Sequence, residues 1–288
     1  MGKILITGAM GLIGSEFREA LTPEQAYFAG RSDCDVTSLE NILSYTKGKD
    51  ISVIINCAAS RDAEYLQDNP DSGRLINIEA PRNLALAANQ IGAALIHISS
   101  DYVFDGGRNT PYRETDAVHA LSVYGEQKIA GENAVLATAE TGIVLRTAWV
   151  FSSYGKDFVK TIGRLARERK EIDVIYDQAG SPTYAADFVA AVLQMLPRIK
   201  TGSREIYHLT NEGVCSWYDM AVQIVDLFGC RCRVNPIETK DFKQRAPRPK
   251  YSVLSKDKIK KDFGIELRHY SAGLRDCVRK IGSLAHAS

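Results

Sequence analysis

Apolar positions in this chain fall into short runs separated by stretches with helical spacing. Residues 3–7 (KILIT) are a nearly continuous apolar run ending in GAMGLIG, after which SEFREAL repeats at helical intervals. That order predicts strand, glycine loop, helix. Residues 26–29 predict a second strand ending at Gly30-Arg31-Ser32, and 37–47 a helix capped near Thr37 or Ser38. Residues 51–56 (ISVIIN) read as a buried strand that stops at Cys57-Ala58-Ala59, small side chains that let a ligand approach closely. An alanine-rich helix over 77–90, a strand over 94–98 ending in Ser99-Ser100-Asp101, a helix over 122–139 and a strand over 142–146 continue the rhythm. This alternation predicts an α/β fold, a doubly wound parallel sheet covered on both faces and joined by right-handed crossovers.

Past Trp149 the rhythm loosens. A helix is predicted over 158–169, a short strand over 173–176, a helix over 187–196 and a proline-rich turn over 244–251 (QRAPRPKY). This half has no glycine-rich phosphate loop of its own. The division expected is a dinucleotide-binding domain over 1–150 and a smaller, mainly substrate-binding lobe over 151–288, with the chain free to cross back to the first domain.

A length of 288 residues suits two such lobes. With 45% hydrophobic and 25% charged residues and a net charge of +1, the chain resembles an ordinary soluble globule and gives no reason to expect a nucleic acid as partner. No apolar stretch approaches the roughly twenty residues a bilayer demands. The N-terminus opens on a strand rather than a leader, so a cytoplasmic protein with no membrane attachment is expected. Six cysteines (Cys34, Cys57, Cys215, Cys230, Cys232 and Cys277) lack paired metal-ligand spacing. Cys230 and Cys232 alone stand close, and read as the start of a strand after Gly229.

Gly8, Gly11 and Gly14 fall between the first strand and the first helix, where glycine spacing carries chemistry. One glycine permits φ > 0, one lets the backbone approach a pyrophosphate, and one lets helix and strand pack closely. The helix N-terminus then offers free N–H groups to the phosphates. Arg31 follows the second strand, where a dinucleotide fold reads the adenosine ribose. Arginine there suits a 2′-phosphate and points to NADP(H), while the nearby Asp33 leaves NAD(H) open. Asp35 and Val36 stand where the adenine edge would lie.

Tyr124 and Lys128 (YGEQK) are one helical turn apart, so both project from one face. An ammonium beside a phenol favours phenolate, drawing the tyrosine's pKa down from about 10 toward general-acid range. Ser100, ending the preceding strand, supplies a hydroxyl for a developing alkoxide. Together these predict hydride chemistry at a carbonyl, although each also has a plain packing or capping role open to it.

Taken in order, GAMGLIG, the NCAA of residues 56–59, SSDYVFDG, TPYRETD, VYGEQKIAGE, RTAWVF, DQAGSPTYAAD, YHLTNEGVCSWYDMA and RPKYSVL resemble the extended short-chain dehydrogenase/reductases, and within them the dTDP-4-dehydrorhamnose reductase group. The resemblance implies a Rossmann sheet with a C-terminal substrate lobe. It also implies NADPH-dependent reduction of the C4 ketone of a nucleotide-sugar substrate, a dTDP-activated 6-deoxyhexulose. By matched position it assigns Ser100, Tyr124 and Lys128 to catalysis, Lys128 and Tyr124 also touching the cofactor. Gly11, Leu12, Ile13 and their neighbouring glycines match the phosphate loop, and Ala58, Ala59, Ser60 and Ser99 the cofactor wall. Asp101, Tyr102, Phe104 and Trp149 fall beside the substrate.

The chain departs from the group at Arg61-Asp62-Ala63-Glu64, where small and apolar residues are usual. Arg61 either pairs with Asp62 or Glu64 at the surface or meets a differently substituted sugar. Ala148 and His269-Tyr270 are further departures. Glu16 matches an acidic residue that binds Mg²⁺ at a subunit interface in some relatives, but Ala186 stands where a second acid is needed. No metal is therefore expected; a homodimer formed otherwise stays open. Two other readings also remain open here: an epimerase or dehydratase that retains NAD, and a non-catalytic nucleotide-binding subunit.

Overall fold

A computed structural model describes residues 2–287, and side chains through residue 284. The first half alternates β1 (Lys3–Thr7), α1 (Leu12–Ala20), β2 (Ala26–Ala29), α2 (Leu39–Thr46), β3 (Ile51–Asn56), α3 (Ala63–Asp68), α4 (Ala80–Ile91), β4 (Ala94–Ser100), α5 (Val123–Thr138) and β5 (Gly142–Thr147). A π-helical turn, Leu75–Glu79, leads into α4. The second half holds β6 (Val150–Phe151), α6 (Phe158–Glu168), β7 (Glu171–Ile175), β8 (Ala179–Gly180), β9 (Thr183–Tyr184) and α7 (Ala185–Met195). It continues with β10 (Arg204–His208), β11 (Cys215–Ser216), α8 (Trp217–Leu227), β12 (Arg233–Ile237), α9 (Asp257–Phe263) and α10 (Tyr270–Ala287).

Six strands make the central sheet in the order β10-β5-β4-β3-β1-β2, every pair parallel. Successive strand residues point to opposite faces, and the two cores separate accordingly. Ile4, Ile6, Val53, Ile55, Ile143 and Leu145 pack with Phe17 of α1, Phe188 and Val192 of α7 and Ile259 of α9. Leu5, Ile54, Leu95 and Val144 pack on the other face with Ile42 of α2, Leu84 of α4 and Val135 of α5. A third core joins β7, α6, α8 and α10 through residues such as Ile172, Ile162, Ile224 and Leu274.

Local chemistry sets the helix starts. Between the two candidate caps it is the Ser38 side chain that accepts from the Asn41 N–H, so α2 begins later than expected, at Leu39. Ser122 accepts from the Gly125 N–H and starts α5 just ahead of Tyr124. Inside the fold, Arg146 on β5 donates to Glu132 on α5 at 2.7 and 2.9 Å, and both side chains are buried. Breaking such a pair leaves a lone buried charge, at a cost of about 3–5 kcal/mol. This pins the rotation of α5 against the sheet.

The structure adds elements the pattern did not reveal. β10 sits at the sheet edge beside β5, and α9 covers the first core, so residues well past 150 complete the sheet and its covering layer. The strand expected over 173–176 is β7, Glu171–Ile175, paired with β12. Cys230 and Cys232 lie in the turn before β12, and the cysteines are free thiols.

Candidate active site

At the carboxyl ends of β1, β3 and β4 lies a cleft in two parts. One is a cavity of about 340 Å³ and the other about 560 Å³; Gly11, Cys57 and Ala59 line both, so the two meet at the glycine loop.

The loop is built for close approach. Gly8 has φ +66°, and a Cβ there would stand 2.6 Å from the Ala58 nitrogen. A Cβ at Gly14 would lie 2.3 Å from the Gly8 carbonyl oxygen, so Gly14 serves the helix–strand contact and does not line the cleft. Gly11 caps α1 without a side chain, leaving the first-turn N–H groups unshielded beside the cavity that Leu12 and Ile13 also line. These donors and the bare backbone around them fit a pyrophosphate.

Gly8, Arg31, Asp35, Val36, Ala58 and Ser60 line the second cavity. Asp33 is committed to its own turn, its carboxylate accepting from the Gly30 N–H at 2.8 Å. Asp35 likewise accepts from the backbone and hydroxyl of Thr37, which hold its carboxyl below the usual range. Arg31 is exposed at the rim, and it is the charge in this group left to face a ligand. Ser60 is fixed through its backbone by the Asn77 amide at 3.0 and 2.9 Å.

Ser100, Asp101, Tyr102, Tyr124 and Lys128 converge on the first cavity. The Ser100 hydroxyl accepts from the Tyr102 N–H at 3.2 Å and donates to Asp101 Oδ1 at 3.1 Å, so it caps the strand end and faces the cavity at once. Tyr102 and Tyr124 meet edge to face, ring centroids 5.4 Å apart. Burial pushes the Tyr124 phenol up to about 12, against smaller lowering effects from Ser100 and Arg61. Lys128 is not among the groups that lower this phenol. Lys128 Nζ donates to the Ile98 carbonyl at 2.7 Å, and burial lowers its own pKa to about 8 against the opposing charge of Glu132. Asp101 is buried, and burial raises its carboxyl to about 6 against smaller lowering effects from Ser252 and Ser100.

One assignment needs correction. Phe104 is fully buried, stacked on Tyr112 with centroids 4.2 Å apart, and belongs to a core cluster rather than the cleft. Ser99 lines the cavity, with its hydroxyl donating to Glu132 at 2.5 Å. Trp149 does line the cavity. Arg61 does too, and it pairs with neither Asp62 nor Glu64. Asp62 caps α3, Glu64 accepts from Arg245, Ala246 and Arg248, and the Arg61 guanidinium donates to the Lys156 carbonyl at 2.8 Å across the cavity mouth.

Sequence reasoning missed Trp217, Phe158, Met220 and Asp157 on the far wall. They come from α6, α8 and the loop before α6, and the available signal was the aromatic pair in CSWYDMA following β10. Asn56 and His97 are buried polar residues inside strands that read as apolar. Glu16 is buried, accepting from Ser152 at 2.7 Å with Lys280 at 3.5 Å, and among the described residues no three His, Cys, Asp or Glu side chains gather as a metal site.

Residues 2–283 match the family model described as the RmlD substrate binding domain. The chain is 36% identical to a dTDP-4-dehydrorhamnose reductase of Aggregatibacter actinomycetemcomitans, covering 96% of this chain and 98% of the relative. It is 32% identical to the spore coat polysaccharide biosynthesis protein SpsK of Bacillus subtilis, covering 98% and 99%. Among solved structures, dTDP-4-dehydrorhamnose reductase from Bacillus anthracis in complex with NADP superposes with a TM-score of 0.92 at 33% identity, over 97% of this chain and 99% of that one.

Proposed function

The chain belongs to the family of the RmlD substrate binding domain, and we propose that it reduces the C4 ketone of a nucleotide-activated 6-deoxyhexulose, dTDP-4-dehydrorhamnose to dTDP-L-rhamnose, using NADPH. The observation that carries this reading is the meeting of Ser100, Tyr124 and Lys128 with the bare N-terminus of α1 on one cavity. Arg31, free at the rim while Asp33 is tied to its turn, supports NADPH over NADH. A role in polysaccharide precursor synthesis, in the cytoplasm where NADPH is made, follows from the same reading.

NADPH, when bound, supplies the hydride. The protein's part is to stabilise and protonate the oxygen. As the ketone oxygen gains negative charge, the Ser100 hydroxyl turns its proton from Asp101 to that oxygen and Tyr124 gives up its phenolic proton. Tyr124 is protonated at neutral pH and so holds the proton it gives up. Lys128 then helps to restore that proton. Trp149 and Trp217 present an aromatic wall to the sugar, and Arg61 guards the mouth. On this view residues 1–150 mainly hold the cofactor and 151–288 mainly the substrate.

The test is NADPH oxidation by the purified chain with dTDP-4-dehydrorhamnose. Turnover is expected, and Tyr124→Phe should lower kcat by about a hundredfold or more while leaving NADPH binding intact. A full-rate Tyr124→Phe enzyme would reject the mechanism; no NADPH consumption by wild type would reject the function.

A further inference from the structure

Met10 is 69% exposed in the middle of the glycine loop, and its side chain lines the second cavity together with Gly30, Arg31 and the exposed Leu75. Two contacts hold it there. Arg18 of α1 donates through Nη1 to Met10 Sδ at 3.0 Å, and a Cβ at Gly30 would stand 3.8 Å from Met10 Cγ, so the side chain reaches over the chain just past β2. A thioether sulfur is only a weak acceptor for such an N–H. Among the described residues the other methionines, Met195 and Met220, are buried. Cys34 and Cys57 also line the cavity, but burial raises both thiols and so suppresses the reactive thiolate.

We propose that Met10 is a methionine sulfoxide site, oxidised by hydrogen peroxide, whose oxidation state sets the affinity of the chain for NADP(H). The sulfur lone pair attacks one peroxide oxygen, so that an S–O bond forms as the O–O bond breaks. The proton on the transferred oxygen passes to the departing hydroxide, giving water; sulfur is oxidised by two electrons and the peroxide reduced by two. The product puts a polar group where a flexible apolar one stood. Its oxygen is a far better acceptor for Arg18 than the sulfur was, which fixes that polar group on the loop. A cofactor seated in the second cavity then loses apolar contact at Met10 and must strip water from the sulfoxide. In return, a cofactor already bound covers the sulfur and slows its oxidation. The inference rests on the reading of this cavity as the cofactor's, and not on the identity of the sugar.

The test treats the full chain with hydrogen peroxide, then with dithiothreitol to return sulfenic acids and disulfides to thiols, and locates added oxygen by peptide mass spectrometry. Met10 is expected to gain one oxygen about tenfold or more faster than Met195 or Met220, because susceptibility follows exposure. Saturating NADP⁺ should slow that step. Kd for NADP⁺, measured by calorimetry, should rise about threefold to tenfold on oxidation, the loss of one or two buried methylene contacts. Methionine sulfoxide reductases should restore it. In Met10→Leu, Kd should be the same before and after peroxide. Oxidation of Met10 no faster than that of the buried methionines, no slowing by NADP⁺, an unchanged Kd in the sulfoxide protein, or a peroxide-shifted Kd in Met10→Leu would each overturn the proposal. If that variant does not fold, the wild-type readouts decide. None of these measurements uses the keto sugar, so inactivity toward it would refute the reductase reading alone.

Discussion

Trp149 and Trp217 lie face to face, ring centroids 3.6 Å apart and planes 5° apart. Trp149 holds φ at +48°, where among the described residues no other non-glycine residue is found. That backbone costs about 1–3 kcal/mol and persists only where its surroundings over-determine it. They do so here: a Cβ at Gly180 would stand 2.5 Å from Trp149 Cε2, and Trp217 Nε1 donates to Gln178 at 3.2 Å. The strain is offset by a rigid aromatic wall along the first cavity.

Removing one sheet of that wall should be felt by the sugar nucleotide and not by the cofactor. The stack is worth about 0.5–1.5 kcal/mol, so Trp217→Ala is expected to lower kcat/KM for the keto sugar by up to about tenfold. KM for NADPH should stay put. Steady-state kinetics with each substrate varied in turn checks this, and an unchanged kcat/KM for the sugar would remove the wall from substrate binding.

Two glycines of one loop should fail in different ways. Gly14→Ala forces a Cβ to within 2.3 Å of the Gly8 oxygen, an overpacking that costs about 1–3 kcal/mol and lowers the melting temperature. At Gly11 the nearest atom a Cβ would meet is 3.3 Å away and φ is −78°. Gly11→Ala should therefore melt close to wild type while losing NADPH affinity, because its methyl fills the approach to the α1 N–H groups. Thermal unfolding with NADPH titration separates the two.

Arg31→Ala addresses cofactor choice. A hydrogen bond to a charged group contributes about 1.5–3 kcal/mol, so KM for NADPH should rise at least about tenfold while KM for NADH scarcely changes. Equal effects on both cofactors would show that Arg31 does not read the 2′-phosphate.

Asp101 gives the stability curve a definite sign. Its carboxyl ionises near 3.8 when unfolded and at about 6 when folded, so across that window the native state binds more protons. Stability therefore falls as pH rises through it. Asp101→Asn keeps an acceptor for Ser100 and removes the charge. Relative to wild type the variant should gain stability between pH 4 and pH 6, on the order of 2–3 kcal/mol less the cost of a new unpaired amide N–H. Urea unfolding across that range measures the difference, and a flat difference would mean Asp101 is not held protonated.

Much of the site was legible because its parts are local. The glycine loop is eight residues from the N-terminus and bounded by a clear strand, and Tyr124 and Lys128 are fixed on one face by helix geometry alone. Phe104 was misplaced for the opposite reason. Which side of a turn a ring falls on depends on packing that no local pattern encodes.

The sequence by itself determined the alternating strands and helices, the glycine loop, the candidate trio Ser100, Tyr124 and Lys128 and the family, since each depends on the spacing and type of neighbouring residues. Tertiary structure decided what those residues do electrically. The Lys128 ammonium was expected to act on Tyr124 because the two are one turn apart. In the fold, burial raises the phenol and lowers the amine, whose nitrogen stands beside Ile98 and His97 on β4. Desolvation and long-range hydrogen bonds are properties of the packed interior, so the charge state of the site could be read only once the chain was folded.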